Sequence, residues 1–153
     1  MKTIFIDPGL NGTGYAVYTP KWHLLFSGNI NISGQYPWEI RGQRIEKRII
    51  EMVARQEITH AYIEFPSYFG SASGQMVAAR GDLVKLTWLV GLLYGVFKSG
   101  QAMLLPVREW KGQLPKEVVI KRIKQILPQE VWKKFKTHTW DAVGMALYVK
   151  GDL

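Results

Sequence analysis

Asp7 ends an unbroken apolar run, Ile4-Phe5-Ile6, and Glu64 ends a second, Ala61-Tyr62-Ile63. Near the C-terminus, Thr137-His138-Thr139-Trp140-Asp141-Ala142 sets a histidine three residues before a third acid. A run without alternation suits a strand buried on both faces, so each of the first two acids belongs at a strand end. Parallel neighbouring strands end about 4.8 Å apart. Two metal ions acting together on a phosphodiester lie about 3.5–4 Å apart, so carboxylates at adjacent strand ends can bracket or bridge such a pair. His138 and Asp141 share a face on a helix or its first turn. Each residue also has a plainer use. Asp7 suits an Asp-Pro-Gly turn, Glu64 a solvated strand end, Asp141 a helix dipole and His138 a structural histidine. On these residues alone both uses stay open.

The elements that must position these groups follow from the hydrophobic pattern. Strands are predicted over Thr3–Asp7, Thr13–Tyr18 and Trp22–Ile32, separated by glycine or proline turns and forming an antiparallel meander. Trp38 to Gln56 has helical spacing, with Ile45, Ile49, Met52 and Val53 on one face and Arg41, Arg44, Lys47 and Arg48 largely on others. His60–Phe65 reads as a buried strand, followed by a loop from Pro66 to Gly74 and a long helix from Gln75 to Lys98. Ala102–Val107 is a short strand, Pro115 opens a helix reaching about Leu127, and a last helix runs from about Thr139 to Val149. Three antiparallel strands followed by α/β crossovers predict an α/β fold, a five-stranded mixed sheet in βββαβαβα order with helices on both faces.

The bulk composition narrows the class. At 153 residues the chain suits one domain, 1–153, and its 47% hydrophobic and 21% charged content is that of an ordinary soluble protein. The absence of cysteine excludes disulfide and thiolate chemistry and suits a reducing compartment. No secretory signal is visible, and the longest apolar stretch, Leu86 to Phe97, is shorter than the roughly 20 residues of a membrane span. A cytoplasmic protein without a membrane partner is therefore expected. The net charge of +8 is uneven, with nine basic and three acidic residues between Arg108 and Lys136. Such a block suits a polyanion or a solvated lysine-rich face.

Taken together, these motifs resemble the RuvC-type Holliday-junction resolvases of the RNase H-like superfamily, over nearly the whole chain. The resemblance rests on Ile6-Asp7-Pro8-Gly9 with Thr13-Gly14-Tyr15, on Glu64, on Ala79-Arg80-Gly81 as a helix start, and on Asp141-Ala142 through Ala146-Leu147. It implies an RNase H-like nuclease domain in which Asp7, Glu64, His138 and Asp141 hold two magnesium or manganese ions. His138 stands where family members carry aspartate or histidine, which removes one negative charge and tilts the site toward manganese. The resemblance further implies that Lys116, and less closely Lys111, neutralise phosphate charge, with Lys116 in a catalytic role. Family members stack a loop aromatic on junction bases. Ser67 holds the simple equivalent position here, so Tyr68 and Phe69 are the candidates. Lys111, Lys116, Lys121 and Arg122, in the basic block, would line the DNA path. The compact length and the divergence outside the motifs point to a bacteriophage version.

The helix Gln75–Lys98 is apolar around most of its circumference, and a sheet covers only one side of it. The resemblance implies a homodimer through this helix, with Leu86, Trp88, Leu89, Leu92, Leu93 and Phe97 divided between core and interface. Two symmetric sites would cut a four-way DNA junction by paired nicks. Two other readings accompany this one: an RNase H-like nuclease acting on flapped DNA or RNA–DNA hybrids, and a junction-binding protein without catalysis.

Overall fold

The computed structural model describes residues 1–67 and 81–153. Tyr68, Phe69, Ala79 and Arg80 lie outside the described residues.

Strand β1 (Lys2–Asp7) is the centre of a five-stranded sheet, with β2 (Thr13–Tyr18) antiparallel on one side and β4 (Ile58–Phe65) parallel on the other. The edges are β3 (Leu24–Ile30), antiparallel to β2, and β5 (Ala102–Pro106), parallel to β4, which gives the order β3-β2-β1-β4-β5. Side chains of a strand alternate between faces, so an apolar run at the centre feeds two cores. Ile4 and Ile6 join the first, while Phe5 joins the second.

The first core is closed by α1 (Trp38–Gln56) and α2 (Asp82–Gly95) through Ile45, Ile49, Leu89, Val90 and Leu93. The second lies under α3 (Val107–Trp110), α4 (Lys116–Ile126), α5 (Gln129–Trp132) and α6 (Thr137–Lys150). Its main contacts are Phe5, Ala16, Trp110, Val119, Ile123 and the run Ala142 to Leu147. Helix α6 is buried around nearly its whole circumference from Asp141 to Leu147, which explains why it shows no polar face. No helix among the described residues is long and apolar enough to cross a membrane.

The third strand is shorter than the pattern predicts, Leu24–Ile30 rather than Trp22–Ile32, because Trp22 takes a positive φ of 62° inside the turn. Helix α6 starts two residues earlier than predicted, and Pro115 precedes α4 as its N-cap. Two four-residue helices, α3 and α5, were not predicted; one helical turn is too short to show a period of 3.6. In α2 the predicted division of apolar residues is shifted. Leu89, Leu93 and Phe97 are core, and Trp88 packs edge-on against Trp38 at 5.0 Å. Leu86 and Leu92 are only partly covered. The outward face is instead Val84, Thr87, Gly91, Tyr94 and Gly95.

Candidate active site

Asp7 closes β1 because the next residue, Pro8, has no N–H to continue the ladder. The turn beyond is cross-braced by Thr13, whose Oγ1 donates to the Gly9 carbonyl at 2.9 Å and accepts from the Gly9 N–H at 3.2 Å. Asp7 pairs across the sheet with Gly14. A Cβ at position 14 would fall 2.1 Å from the His138 carbonyl oxygen, so only glycine lets the first turn of α6 sit on β2. That approach brings His138 Nδ1 to 2.7 Å from Asp7 Oδ2. Thr139, fully buried beside it, donates to Asn29 Oδ1 at 2.9 Å and ties α6 to β3.

On the neighbouring parallel strand, Ile6 pairs with Ile63, so Asp7 and Glu64 are the next residues along β1 and β4. This is the adjacency that the two apolar runs predict. Glu64 Oε2 accepts a hydrogen bond from Trp110 Nε1 at 3.0 Å. Trp110 is itself buried and leans over Gly144 of α6, where a Cβ would lie 2.8 Å from the ring. Asp141, one turn beyond His138 on α6, accepts from Lys116 Nζ at 2.6 Å and from Lys111 Nζ at 3.3 Å. Lys116 also donates to the Thr137 carbonyl at 3.0 Å, so one ammonium holds both an acid of the site and the start of α6.

The electrostatics record how crowded this mouth is. Burial pushes the Glu64 carboxyl well above its usual range, and the negative charges of Asp7 and Asp141 push it further. Trp110 and Lys111 oppose this incompletely. Asp7 is raised for the same leading reason, burial, against the opposing hydrogen bond from His138. His138 is raised by that hydrogen bond, so the pair shares a proton-binding preference.

The donor set suits a hard divalent cation: three carboxylates and one imidazole from β1, β4 and α6, in a mouth where burial and mutual repulsion raise two of the carboxyls. Among the described residues, no three His, Asp or Glu side chains stand together as a ready-made cage. Each acid is held by a different internal partner, His138, Trp110 or the two lysines. A cation held at this mouth would have to displace those partners.

Lys111 and Lys116, which the resemblance implies for the site, reach Asp141 directly. Lys121 and Arg122 lie on the exposed side of α4 without contact to the acids, and Arg122 donates to the Leu153 backbone oxygen at 3.1 Å. Tyr68 and Phe69 are beyond the described residues. The hydrogen bond from Trp110 had no signal in the sequence, since it joins residues 46 positions apart through a helix of one turn.

No family model matches this chain, and no curated protein sequence matches it either. Among solved structures, it is similar to Thermus thermophilus RuvC in complex with a Holliday junction substrate, with TM-score 0.72 at 24% identity, covering 97% of this chain and 91% of that one. A second Thermus thermophilus RuvC structure gives TM-score 0.70 at 23% identity, covering 97% and 92%. The Fowlpox virus resolvase, in complex with Holliday junction DNA, gives TM-score 0.54 at 12% identity, covering 98% of both chains. At these identities the likeness is one of fold. The chain has the fold of RuvC, as the resemblance implies, with the five-stranded mixed sheet that the order of its elements predicts.

Proposed function

We propose that this chain is a divalent-cation-dependent endonuclease that resolves four-way DNA junctions by paired, symmetric nicks. One observation carries the reading: Asp7 and Glu64 at neighbouring strand ends and Asp141 on α6 lie close enough for their charges to act on one another, in a fold shared with junction resolvases. Asp7, Glu64 and Asp141, with His138, are the residues that would hold magnesium or manganese. Bound there, the ions would lower the pKa of an attacking water and stabilise the departing oxygen of a phosphodiester. The chain's own residues prepare that chemistry. Trp110 orients Glu64, and His138 orients Asp7. Lys116 and Lys111 balance the charge of Asp141 and stand ready to take up phosphate charge when that acid turns to a cation.

The pairing of nicks requires two sites. The outward face of α2, with Val84 71% and Tyr94 42% exposed around Thr87, Gly91 and Gly95, supports a two-fold helix contact. Small residues there let two helix backbones approach closely, and an isologous contact sets two sites in two-fold relation.

The test of substrate class is cleavage by wild-type protein with magnesium of a mobile four-way junction, a flap, an RNA–DNA hybrid and a plain duplex, with mapped cut sites. Symmetric cuts confined to the junction are expected. Preferential cleavage of the hybrid or the flap would replace this reading with another RNase H-like nuclease activity, and binding without cleavage would leave a junction-binding protein.

A further inference from the structure

The nuclease reading leaves unused a second basic surface, on the sheet face away from the lysine-rich α3–α5 segment. Arg41, Arg44, Arg48 and Arg55 of α1 fall at i, i+3, i+7 and i+14, which places them on one stripe of the helix. Ile45 and Ile49 of the same helix are buried against the sheet, so the stripe borders the solvent side. None of the four makes an ion pair with a carboxylate among the described residues.

The stripe starts at the active-site mouth. Arg41 donates to Asn11 Oδ1 in the β1–β2 turn, next to Gly12, which itself approaches the His138 ring. Arg44 lies over the Tyr36 ring at 3.8 Å, which fixes its guanidinium while leaving its N–H groups at the surface. Arg48 and Arg55 line a cleft of about 450 Å³ with Tyr15, Phe26, Asn29 and Glu51. From Arg41 to Arg55 the helix rises about 21 Å. That length spans about six nucleotide steps of a DNA strand.

Resting on the reading of the chain as a junction nuclease, we propose that this arginine stripe binds the phosphate backbone of a second DNA arm, diverging from the arm on the lysine-rich side. The chemistry selects a phosphate backbone. A guanidinium fork matches phosphate geometry, and a linear row of forks without carboxylate partners among the described residues matches a linear row of anions. The geometry selects a branched substrate. The two basic surfaces lie on opposite sheet faces and both reach the mouth, Arg41 through Asn11 and Lys111 and Lys116 through Asp141, so a straight duplex follows one of them and a branch point at the mouth lets DNA follow both.

The test is salt-dependent binding of wild type and the triple variant Arg44→Gln/Arg48→Gln/Arg55→Gln to a four-way junction and to a plain duplex, alongside junction nicking. Each phosphate contact contributes about 0.9 to the slope of log K against log salt. The triple variant should lose about 2.7 from the junction slope at three contacts, keep the duplex slope, and melt at the wild-type temperature. The corresponding triple lysine variant should restore most of the junction slope. An unchanged junction slope in a folded glutamine variant would overturn the proposal while wild-type nicking upholds the nuclease reading. An equal loss on junction and duplex would also overturn the second-arm assignment. A wild type that neither binds nor nicks the junction would remove the nuclease reading itself, and the proposal with it.

Discussion

The two ends of β1 bury ionisable groups in opposite ways. Away from the site, Phe5 stacks on Tyr62 with centroids 5.0 Å apart and planes 4° apart, and meets Tyr18 edge-on at 5.7 Å and Trp22 at 6.2 Å. Tyr18 is buried with its hydroxyl unpartnered, and burial pushes the phenol well above its usual value. The phenol is neutral throughout the physiological range, so its burial costs little charge desolvation. Two residues beyond Phe5, the strand delivers Asp7 into a mouth with two further acids, and burial there raises carboxyls that repel one another. One end of the strand is built for stability. The other crowds carboxyls that burial and mutual repulsion raise, as the proposed cation site requires.

The largest way to break the contrast is Phe5→Ala. Removing a buried aromatic from the ring cluster should cost about 3–5 kcal/mol in a denaturant melt. Activity per folded molecule should change far less than stability, since the Phe5 ring packs on Tyr62, Tyr18 and Trp22. Trp110→Phe should act the other way. It removes one hydrogen bond to a charged group, worth about 1.5–3 kcal/mol, and should lower single-turnover nicking by about tenfold or more while junction binding holds. A loss of binding equal to the loss of nicking would show that Trp110 only supports the fold.

A smaller effect concerns pH. Glu64 and Asp7 are raised in the folded protein, so the folded form holds more protons than the unfolded chain. Stability contributed by these acids is therefore lost as pH rises from the ordinary carboxylate range through the raised folded values. His138 is raised too, and its contribution is present below its ordinary value of about 6.5 and lost as pH rises through the raised one. Without divalent cation, Glu64→Gln should thus melt above wild type at neutral pH, with about 2–4 °C per kcal/mol, and the gap should close as pH falls toward 4. Added magnesium should raise the wild-type melting temperature and leave that of Glu64→Gln nearly unmoved. The smallest effect is expected from Tyr18→Phe, within about 1 kcal/mol of wild type, because its hydroxyl has no partner to lose.

Much of this architecture is legible in the residues. The unalternating runs before Asp7 and Glu64 place both acids at the ends of central strands, and the parallel register of β1 and β4 makes them neighbours. The spacing of His138 and Asp141 sets both on one helix face. What the pattern does not carry is side-chain pairing between distant elements. Nothing local marks Trp110 as the donor to Glu64, and Lys116 is marked for the site by the family resemblance alone, because each pairing depends on how α3 and α4 dock on α6. The outward face of α2 is hidden for a related reason: a helix apolar on most sides gives no contrast from which to tell core from surface.

On the proposed function, the acids at this mouth hold divalent cations for cutting a DNA junction. Its most direct test is single-turnover nicking of a mobile four-way junction at saturating protein, with and without magnesium, for wild type and Glu64→Gln. Wild type should nick only with magnesium, and Glu64→Gln should bind the junction as tightly yet nick at least about 10²-fold more slowly. Full nicking by Glu64→Gln, or nicking by wild type without any divalent cation, would rule out a cation-dependent site at Glu64.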